Sequence, residues 1–308
     1  MKYLISILAI LISYVSSTYV QADESEICTG ATGLDLQILG SGGPIADDGR
    51  ASTSYLLWVD GHSRFLIDSG GGAFLRFGEA GAQFEDLRHI AISHLHTDHS
   101  TDLVALLKSG FFSDRKAALT ISGPAGSGRY PGFNQYLDRL LGYDKGAYAY
   151  LSGYLDGSDG LVHLDSTEVN PQTRQATRVY SNQATDMDID ALGVPHGPVP
   201  ALAYKVRLGG HVVVFAGDQN GSSDEFIKFA RGADILLMHM PVAQGVASNL
   251  HASPAIIGNI ATQTNAKKLV LSHFMARSLE NFEENLEEIH KRYAGPVVIA
   301  HDLKCIEI

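Results

Sequence analysis

Four side chains that can bind a metal ion fall within six consecutive residues: His94, His96, Asp98 and His99. Imidazole and carboxylate are ligands that zinc takes where thiolate is absent. Side chains two residues apart on an extended segment point the same way, so His94 and His96 can hold one ion. Asp98 and His99 lie where the chain turns toward a helix and can face a second ion. A cluster this dense predicts a metal centre rather than isolated structural histidines.

The elements that must position these ligands alternate between strands and helices. Residues 89–93 are predicted as a strand that ends at the histidine cluster. The other predicted strands are 34–39, 55–59, 64–67, 119–122, 201–208, 211–216, 234–238, 268–271 and 297–300. Apolar periodicity predicts helices at 101–108, 224–229, 254–262 and 279–293. Strands at the beginning and helices between the later strands favour packed sheets covered by helices.

The pattern His94-x-His96-x-Asp98-His99 is similar to the signature of the metallo-β-lactamase superfamily. The resemblance extends over nearly the whole chain after residue 22, and it implies an α/β fold, a four-layer αββα sandwich. Asp68 resembles the family's early aspartate, which supports a metal ligand from behind.

The same resemblance completes the ligand set of two metal ions, taken as two Zn²⁺ per chain. Later motifs of the chain match the family's remaining ligands at His196, Asp218 and His273. The first ion would then bind His94, His96, His196 and Asp218. The second would bind Asp98, His99, Asp218 and His273. Another transition metal remains an alternative to zinc.

Within the superfamily the chain resembles the ribonuclease Z branch, whose opening loop is similar to residues 39–44. His251 matches a histidine that stabilises phosphate charge in that branch; the alternative is a helix-start residue without an active-site role. Two departures separate the chain from the branch. Asp218 follows His196 by 22 positions, which leaves no room for a long tRNA-gripping arm. Met240 stands where the branch has a glutamate.

The ligand set predicts hydrolysis by a metal-bound hydroxide, because two metals lower the pKa of a shared water toward neutrality. Asp98 is predicted to orient that hydroxide, and His251 to stabilise or protonate the departing oxygen. The favoured enzyme is an exported arylsulfatase-like hydrolase of a sulfate ester. The alternatives are a ribonuclease Z-like phosphodiesterase, then a lactonase or β-lactamase. Two readings without hydrolysis also remain: an iron-binding redox protein or a binding protein of the same fold.

Residues 130–154 contain six of the thirteen tyrosines and favour the aryl ester. A lid or loop that carries several tyrosines would offer large apolar faces with polar tips to an aromatic substrate. Ordinary packing in the core is the alternative for each of these tyrosines.

The first twenty-two residues are predicted to be a signal peptide, so that the hydrolase domain comprises 23–308. Lys2 precedes an apolar run at 4–15, and Ala22 ends the expected cleavage site. The run is too short to span a bilayer comfortably, although an uncleaved anchor is the alternative. The mature protein would be periplasmic or secreted, with no stable membrane anchor.

The charge of the chain limits its possible partners, and its cysteine content bears on its compartment. Lys plus Arg total 23 against 34 Asp plus Glu, and no basic cluster is visible. Such a chain would repel a nucleic-acid backbone unless basic residues were gathered on one face, so no nucleic acid is expected. The substrate that the resemblance implies is a small anionic ester. A homodimer is left open. In an oxidising compartment Cys28 and Cys305 would either pair or stay separate buried thiols.

Overall fold

The computed structural model describes Cys28 and residues 33–308, and within them two sheets pack face to face between helices. The strands are β1 (Leu34–Gly40), β2 (Ser54–Val59), β3 (His62–Ile67), β4 (His89–Ala91), β5 (Leu119–Pro124), β6 (Leu164–Val169), β7 (Thr177–Asn182), β8 (Met187–His196), β9 (Val199–Leu208), β10 (His211–Phe215), β11 (Ile235–His239), β12 (Lys268–Ser272), β13 (Val297–Ile299) and β14 (Cys305–Glu307). The helices are α1 (Ala73–Glu79), α2 (Thr97–Ser100), α3 (Leu103–Gly110), α4 (Phe133–Leu141), α5 (Gly153–Asp156), α6 (Asp224–Phe229), α7 (Pro254–Gln263), α8 (Ala276–Leu279) and α9 (Phe282–His290). The predicted α/β sandwich is confirmed.

The two sheets share one plan, in which antiparallel strands continue into parallel ones. The first has the order β14-β1-β2-β3-β4-β5-β6 and the second β13-β12-β11-β10-β9-β8-β7. Pairing is parallel from β3 to β6 and from β10 to β13. The carboxyl ends of neighbouring parallel strands meet at one edge of a sheet, where ligand sites of open α/β sheets form.

Alternation along β2 shows how one strand serves two cores. Tyr55 and Leu57 belong to the core between the sheets, whereas Leu56 and Trp58 belong to the core under the outer helices. Successive side chains of a strand point to opposite faces, so burial on both faces requires a continuous apolar run. The first sheet is therefore covered on both sides.

The segment 130–154 differs from the predicted tyrosine-bearing lid. It contains α4, a 3₁₀ helix at Ala149–Leu151 and the start of α5, and its apolar residues join the core of the first sheet. The hydroxyl groups of Tyr136 and Tyr154 donate to the carbonyls of Ser100 and Leu107 at 2.9 and 2.8 Å. These tyrosines pack the segment onto α2 and α3.

Several elements depart from the sequence prediction. The helix expected at 279–293 is shorter in the structure: α9 comprises only Phe282–His290, and Leu279 is the last residue of α8. The strands β6, β7, β8 and β14 were not predicted; β6 carries the polar sequence LDSTEV, and β8 contains both a glycine and a proline.

The two cysteines form a disulfide that joins the ends of the described chain. Cys28 is bonded to Cys305 with a Cα–Cα distance of 5.2 Å. The backbone N–H of Cys28 donates to Oε1 of Gln37 at 2.9 Å, which anchors the segment to β1. Of the two alternatives from the sequence, the structure has the paired cysteines.

The structure does not test the prediction about the amino terminus. The predicted signal peptide at 1–22 lies outside the described residues. Among the described residues, no helix is both long enough and apolar enough to cross a membrane.

Candidate metal centre

The candidate ligands gather at the carboxyl ends of strands from both sheets. His94 and His96 follow β4, and His196 is the last residue of β8. Asp218 follows β10 and His273 follows β12. Residues up to 179 positions apart in the chain therefore meet at one edge of the sandwich.

The first cluster consists of His94, His96, His196 and Asp218, whose ligand atoms lie within 4.8 Å of one another. Nε2 of His94 is 2.9 Å from Nδ1 of His96. Oδ2 of Asp218 is 3.8 Å from Nε2 of His94 and 3.6 Å from Nε2 of His196. Two ligands of a tetrahedral zinc, each about 2.0–2.1 Å from the ion, stand about 3.4 Å apart. The spacing fits one metal ion.

The second cluster consists of His99, Asp218, His239 and His273. Nε2 of His99 and Nε2 of His273 are 3.2 Å apart. Asp98 adjoins this cluster, because its Oδ2 is 3.3 Å from Nε2 of His273. Asp218 belongs to both clusters, and His239 was not among the ligands predicted from the sequence. All seven predicted ligands thus lie in or beside the two clusters.

Contacts behind the ligands fix which ring nitrogen faces each cluster. The backbone carbonyl of Leu250 accepts from Nδ1 of His196 at 2.9 Å, so Nε2 carries the lone pair. That Nε2 is buried and has no hydrogen-bond partner within the described residues. Because a buried nitrogen without a partner is costly, it fits a site that a metal completes.

Asp68 supports His99 in the same way. Its Oδ2 accepts from Nδ1 of His99 at 2.7 Å, and its two oxygens accept the backbone N–H and the hydroxyl of Ser93 at 2.6 and 2.8 Å. Asp68 and His273 both adopt a left-handed backbone with φ of 59°. Strain of this kind persists where surrounding contacts over-determine a site.

Three buried carboxylates give the centre an excess of negative charge. Among the described residues, every ion-pair partner of Asp68, Asp98 and Asp218 is a histidine. Burial opposes ionisation of Asp98, but the hydrogen bond from His273 and the charge of His99 outweigh it and lower its pKa to about 2. Bound cations would compensate these carboxylates.

Burial and the same carboxylates shift the pKa values of the histidines. Burial disfavours the charged form of His99, but the carboxylates of Asp68 and Asp218 prevail and raise its pKa to about 9. Burial lowers the pKa of His94 well below its usual value. Burial also lowers the pKa of His239 to about 3 and that of His251 to about 4. Neutral imidazole is the form that binds metal, so His94 is already in that form, whereas a cation bound by His99 would have to displace its proton.

A cavity of about 480 Å³ opens over the centre. Its lining consists of Pro44, Leu95, His96, Thr97, Asp98, His196, Asp218, Leu250, His251, His273, Met275 and Arg277. None of the six tyrosines from 130–154 is in that lining, so the expected tyrosine-lined entrance is wrong. Those side chains pack on the first sheet or face solvent elsewhere.

His251 lies beside the centre, in the loop before α7. Its Nδ1 is 3.9 Å from Oδ2 of Asp218 and has no hydrogen-bond partner within the described residues. The ring is 5.2 Å from that of His196, centroid to centroid, and borders the cavity. The structure therefore places His251 where it can reach a bound substrate.

Two residues of the centre were missed from the sequence, His239 and Tyr55. His239 ends the buried strand β11, and its Nδ1 is 2.7 Å from Oδ1 of Asp218. The sequence signal for His239 was its position at the end of an apolar run, since the candidate ligands also follow strands. Nothing local distinguishes Tyr55 from an ordinary core tyrosine, although its hydroxyl lies 2.9 Å from Nε2 of His239.

Comparison with known proteins supports the fold and the chemistry together. The family described as "Anti-Pycsar protein Apyc1" matches residues 34–291. A ribonuclease Z of Methanosarcina acetivorans is 26% identical, with 89% of this chain and 98% of that protein covered. The metallo-beta-lactamase fold protein YhfI of Bacillus subtilis has a TM-score of 0.68 at 20% identity, covering 89% of this chain and 99% of YhfI. The short form of human tRNase Z has the same TM-score, identity and coverages.

These findings confirm the resemblance to the metallo-β-lactamase superfamily and its ribonuclease Z-like branch, and a metal-dependent hydrolase acting on ester bonds. They contradict the favoured arylsulfatase-like reading, because the relatives are named for cleavage of RNA; the phosphodiesterase alternative is the better supported. The prediction of a small anionic ester and no nucleic acid is wrong for the same reason. Net charge sums over the whole surface, whereas recognition depends on charge near the site.

Proposed function

The chain belongs to the family described as "Anti-Pycsar protein Apyc1", and from its similarity to ribonuclease Z we propose that it is a dinuclear phosphodiesterase that cleaves RNA. It is a metal-dependent hydrolase acting on ester bonds. We propose in addition that the ester is a phosphodiester, that the substrate is RNA and that the centre binds a second ion. The observation that carries the proposal is the pair of ligand clusters joined through Asp218 beneath an open cavity.

Bound metals, which we propose to be two Zn²⁺, would lower the pKa of a shared water and polarise a phosphoryl oxygen. The first ion would be held by His94, His96, His196 and Asp218, and the second by Asp98, His99, Asp218 and His273. Elemental analysis of the purified protein tests this assignment, and we expect close to two zinc equivalents per chain. Iron with a redox signal would contradict it.

Asp98 and His251 are the groups that we assign to the reaction. The carboxylate of Asp98 lines the cavity and can accept a proton or a hydrogen bond from the attacking water. His251 also borders the cavity, and its Nδ1 has no hydrogen-bond partner among the described residues. An N–H of His251 would stabilise the departing oxygen of the phosphodiester.

The rest of the cavity suits an anionic substrate with an apolar part. The Nε of Arg277 donates to the carbonyl of Pro241 at 3.1 Å, and Arg277 is one of the residues that line the cavity. A guanidinium can bind a phosphate through two parallel hydrogen bonds. Pro44, Leu95 and Met275 supply apolar walls against which a nucleobase or sugar would pack.

The decisive experiment compares substrates on the purified metal-loaded protein. We expect turnover of bis-p-nitrophenyl phosphate and cleavage of an RNA hairpin with a single-stranded 3′ extension. The matching DNA hairpin tests whether the 2′-hydroxyl is read, since that group is what distinguishes RNA from DNA at a site. Turnover of only a chromogenic β-lactam or a lactone would refute the phosphodiesterase. Activity on bis-p-nitrophenyl phosphate without RNA cleavage would refute only the RNA substrate.

Arg277 offers a test of how phosphate is recognised. The variant Arg277→Gln should raise KM for the RNA more than it lowers kcat. A contact that is equally strong in the bound substrate and in the transition state affects binding and leaves kcat unchanged. Arg129→Gln is the matched control, since Arg129 lies outside the cavity lining. Equal kinetics for the two variants would remove Arg277 from the substrate site.

We also propose that the protein acts outside the cytoplasm, in the periplasm or after secretion. The apolar run at 4–15 and the Cys28–Cys305 disulfide support this, because disulfides persist in oxidising compartments. Sequencing the amino terminus of the exported protein should give a start near Asp23. A retained Met1 in the cytoplasmic fraction would contradict export.

A further inference from the structure

The orientation of the Asp218 carboxylate decides whether one residue can serve both clusters. Its Oδ2 is 3.6 Å from Nε2 of His196 in the first cluster, and its Oδ1 is 3.4 Å from Nε2 of His273 in the second. Rotation of the carboxylate about its bond to the chain would withdraw one oxygen from each cluster. A contact that holds this rotation would therefore support both metal sites at once.

His239 makes that contact. Its Nδ1 is 2.7 Å from Oδ1 of Asp218, and an ionised carboxylate can only accept. The hydrogen between them consequently belongs to Nδ1, in either the neutral or the charged form of the ring. A nitrogen that carries this hydrogen has no lone pair for a metal, although His239 lies among the residues of the second cluster.

The other nitrogen of His239 is engaged as well. The Tyr55 hydroxyl is 2.9 Å from Nε2, and both side chains are buried. Tyr55 lies on β2 of the first sheet and His239 ends β11 of the second, so this contact crosses the interface between the sheets. The Tyr55 ring also stacks on Phe215 at 5.7 Å between centroids, three residues before Asp218.

We propose that Tyr55 and His239 are positioning residues that hold Asp218 in the orientation shared by both clusters, and that His239 is not a metal ligand. The inference rests on the proposed dinuclear centre. Residues behind metal ligands commonly account for 10- to 100-fold in metal affinity or activity. The chain Tyr55–His239–Asp218 gives the bridging carboxylate such support from the opposite sheet.

Three variants separate positioning from ligation. His239→Asn keeps an N–H donor near the position of Nδ1, His239→Leu removes it, and Tyr55→Phe removes only the hydroxyl. Metal affinity is measured by competition with a chromophoric chelator, using Zn²⁺ alone. We expect His239→Leu to weaken binding about 10- to 100-fold. His239→Asn should stay within a few-fold of the wild type, and Tyr55→Phe should fall between them.

The control is Tyr154→Phe, which deletes another buried hydroxyl, the one bound to the carbonyl of Leu107 far from the ligands. Melting temperatures of the metal-free proteins report any loss of packing. A drop in melting temperature with unchanged zinc affinity in both tyrosine variants would reduce Tyr55 to a structural residue and overturn the proposal.

Cobalt substitution supplies a second readout. The visible absorption of bound Co²⁺ reports its ligands, so His239→Asn should leave the spectrum close to that of the wild type. Loss of metal and a changed spectrum in His239→Asn, with Tyr55→Phe unaffected, would make His239 a ligand. A wild-type protein that binds two metals but cleaves no phosphodiester would refute the proposed function and leave this inference standing.

Discussion

The two ligand clusters share one carboxylate but differ in how they are enclosed. In the first, His96 is only partly buried, and both His96 and His196 line the cavity. In the second every member is buried, and Asp68 supports His99 from behind. Both clusters reach the cavity, the second through His273 and the adjoining Asp98, so the difference lies in exposure and in support from behind rather than in which cluster meets the substrate.

Asp218→Ala should give the largest effect, because it removes the one ligand common to both clusters. Metal content should fall toward zero, and phosphodiester turnover should drop by more than about 10²-fold, beyond the usual loss for a supporting residue. Elemental analysis and a kinetic assay measure the two quantities. The exposed Asp144 provides the control Asp144→Ala. Two tightly bound metals in Asp218→Ala would refute the shared ligand.

His251→Ala tests the open side, where His251 adjoins His196 and the cavity. Turnover should fall by about 10²- to 10⁴-fold, the usual range for a positioned acid–base group, while metal content stays unchanged. The loss should shrink for phosphodiesters with acidic leaving groups, because such groups need little stabilisation. The control is His211→Ala, at an exposed residue. Equal losses for good and poor leaving groups would assign His251 to binding instead.

Asp68→Asn tests the enclosed side. Both carboxylate oxygens of Asp68 accept hydrogen bonds, whereas the amide of asparagine has one acceptor oxygen and no charge, so affinity for the second metal should fall about 10- to 100-fold. Stepwise zinc titration should show the first site nearly unchanged, since among the described residues Asp68 is linked to the ligands of the first cluster only through Ser93, whose hydroxyl contacts His94. An equal fall at both sites would contradict the difference in support between the clusters. The exposed Asp165 gives the matched control Asp165→Asn.

The double variant Cys28→Ser, Cys305→Ser should affect the centre least. Its free energy of unfolding should fall by about 2–5 kcal/mol, because the bridge closes a loop over most of the chain. Urea denaturation measures this change. Metal content and turnover should match the wild type, and a loss of either would connect the disulfide to the site.

Prediction succeeded where local spacing determines geometry. His94 and His96 are two residues apart after a buried strand, so their common direction follows from the strand period. It failed for the tyrosines of 130–154, because clustering in sequence does not say whether a segment packs on the first sheet or reaches the cavity. The exclusion of nucleic acid failed because whole-chain charge was used in place of local charge.

By itself, then, the sequence predicted a metal centre, the αββα class and seven candidate ligands, because each candidate belongs to a short pattern at a strand end. Only the tertiary structure decided that His239 faces Asp218 and that Tyr55 reaches His239 across 184 positions of sequence. Their distance depends on how two sheets pack and twist against each other. No local pattern records that packing, because it is the joint result of all the side chains between the sheets.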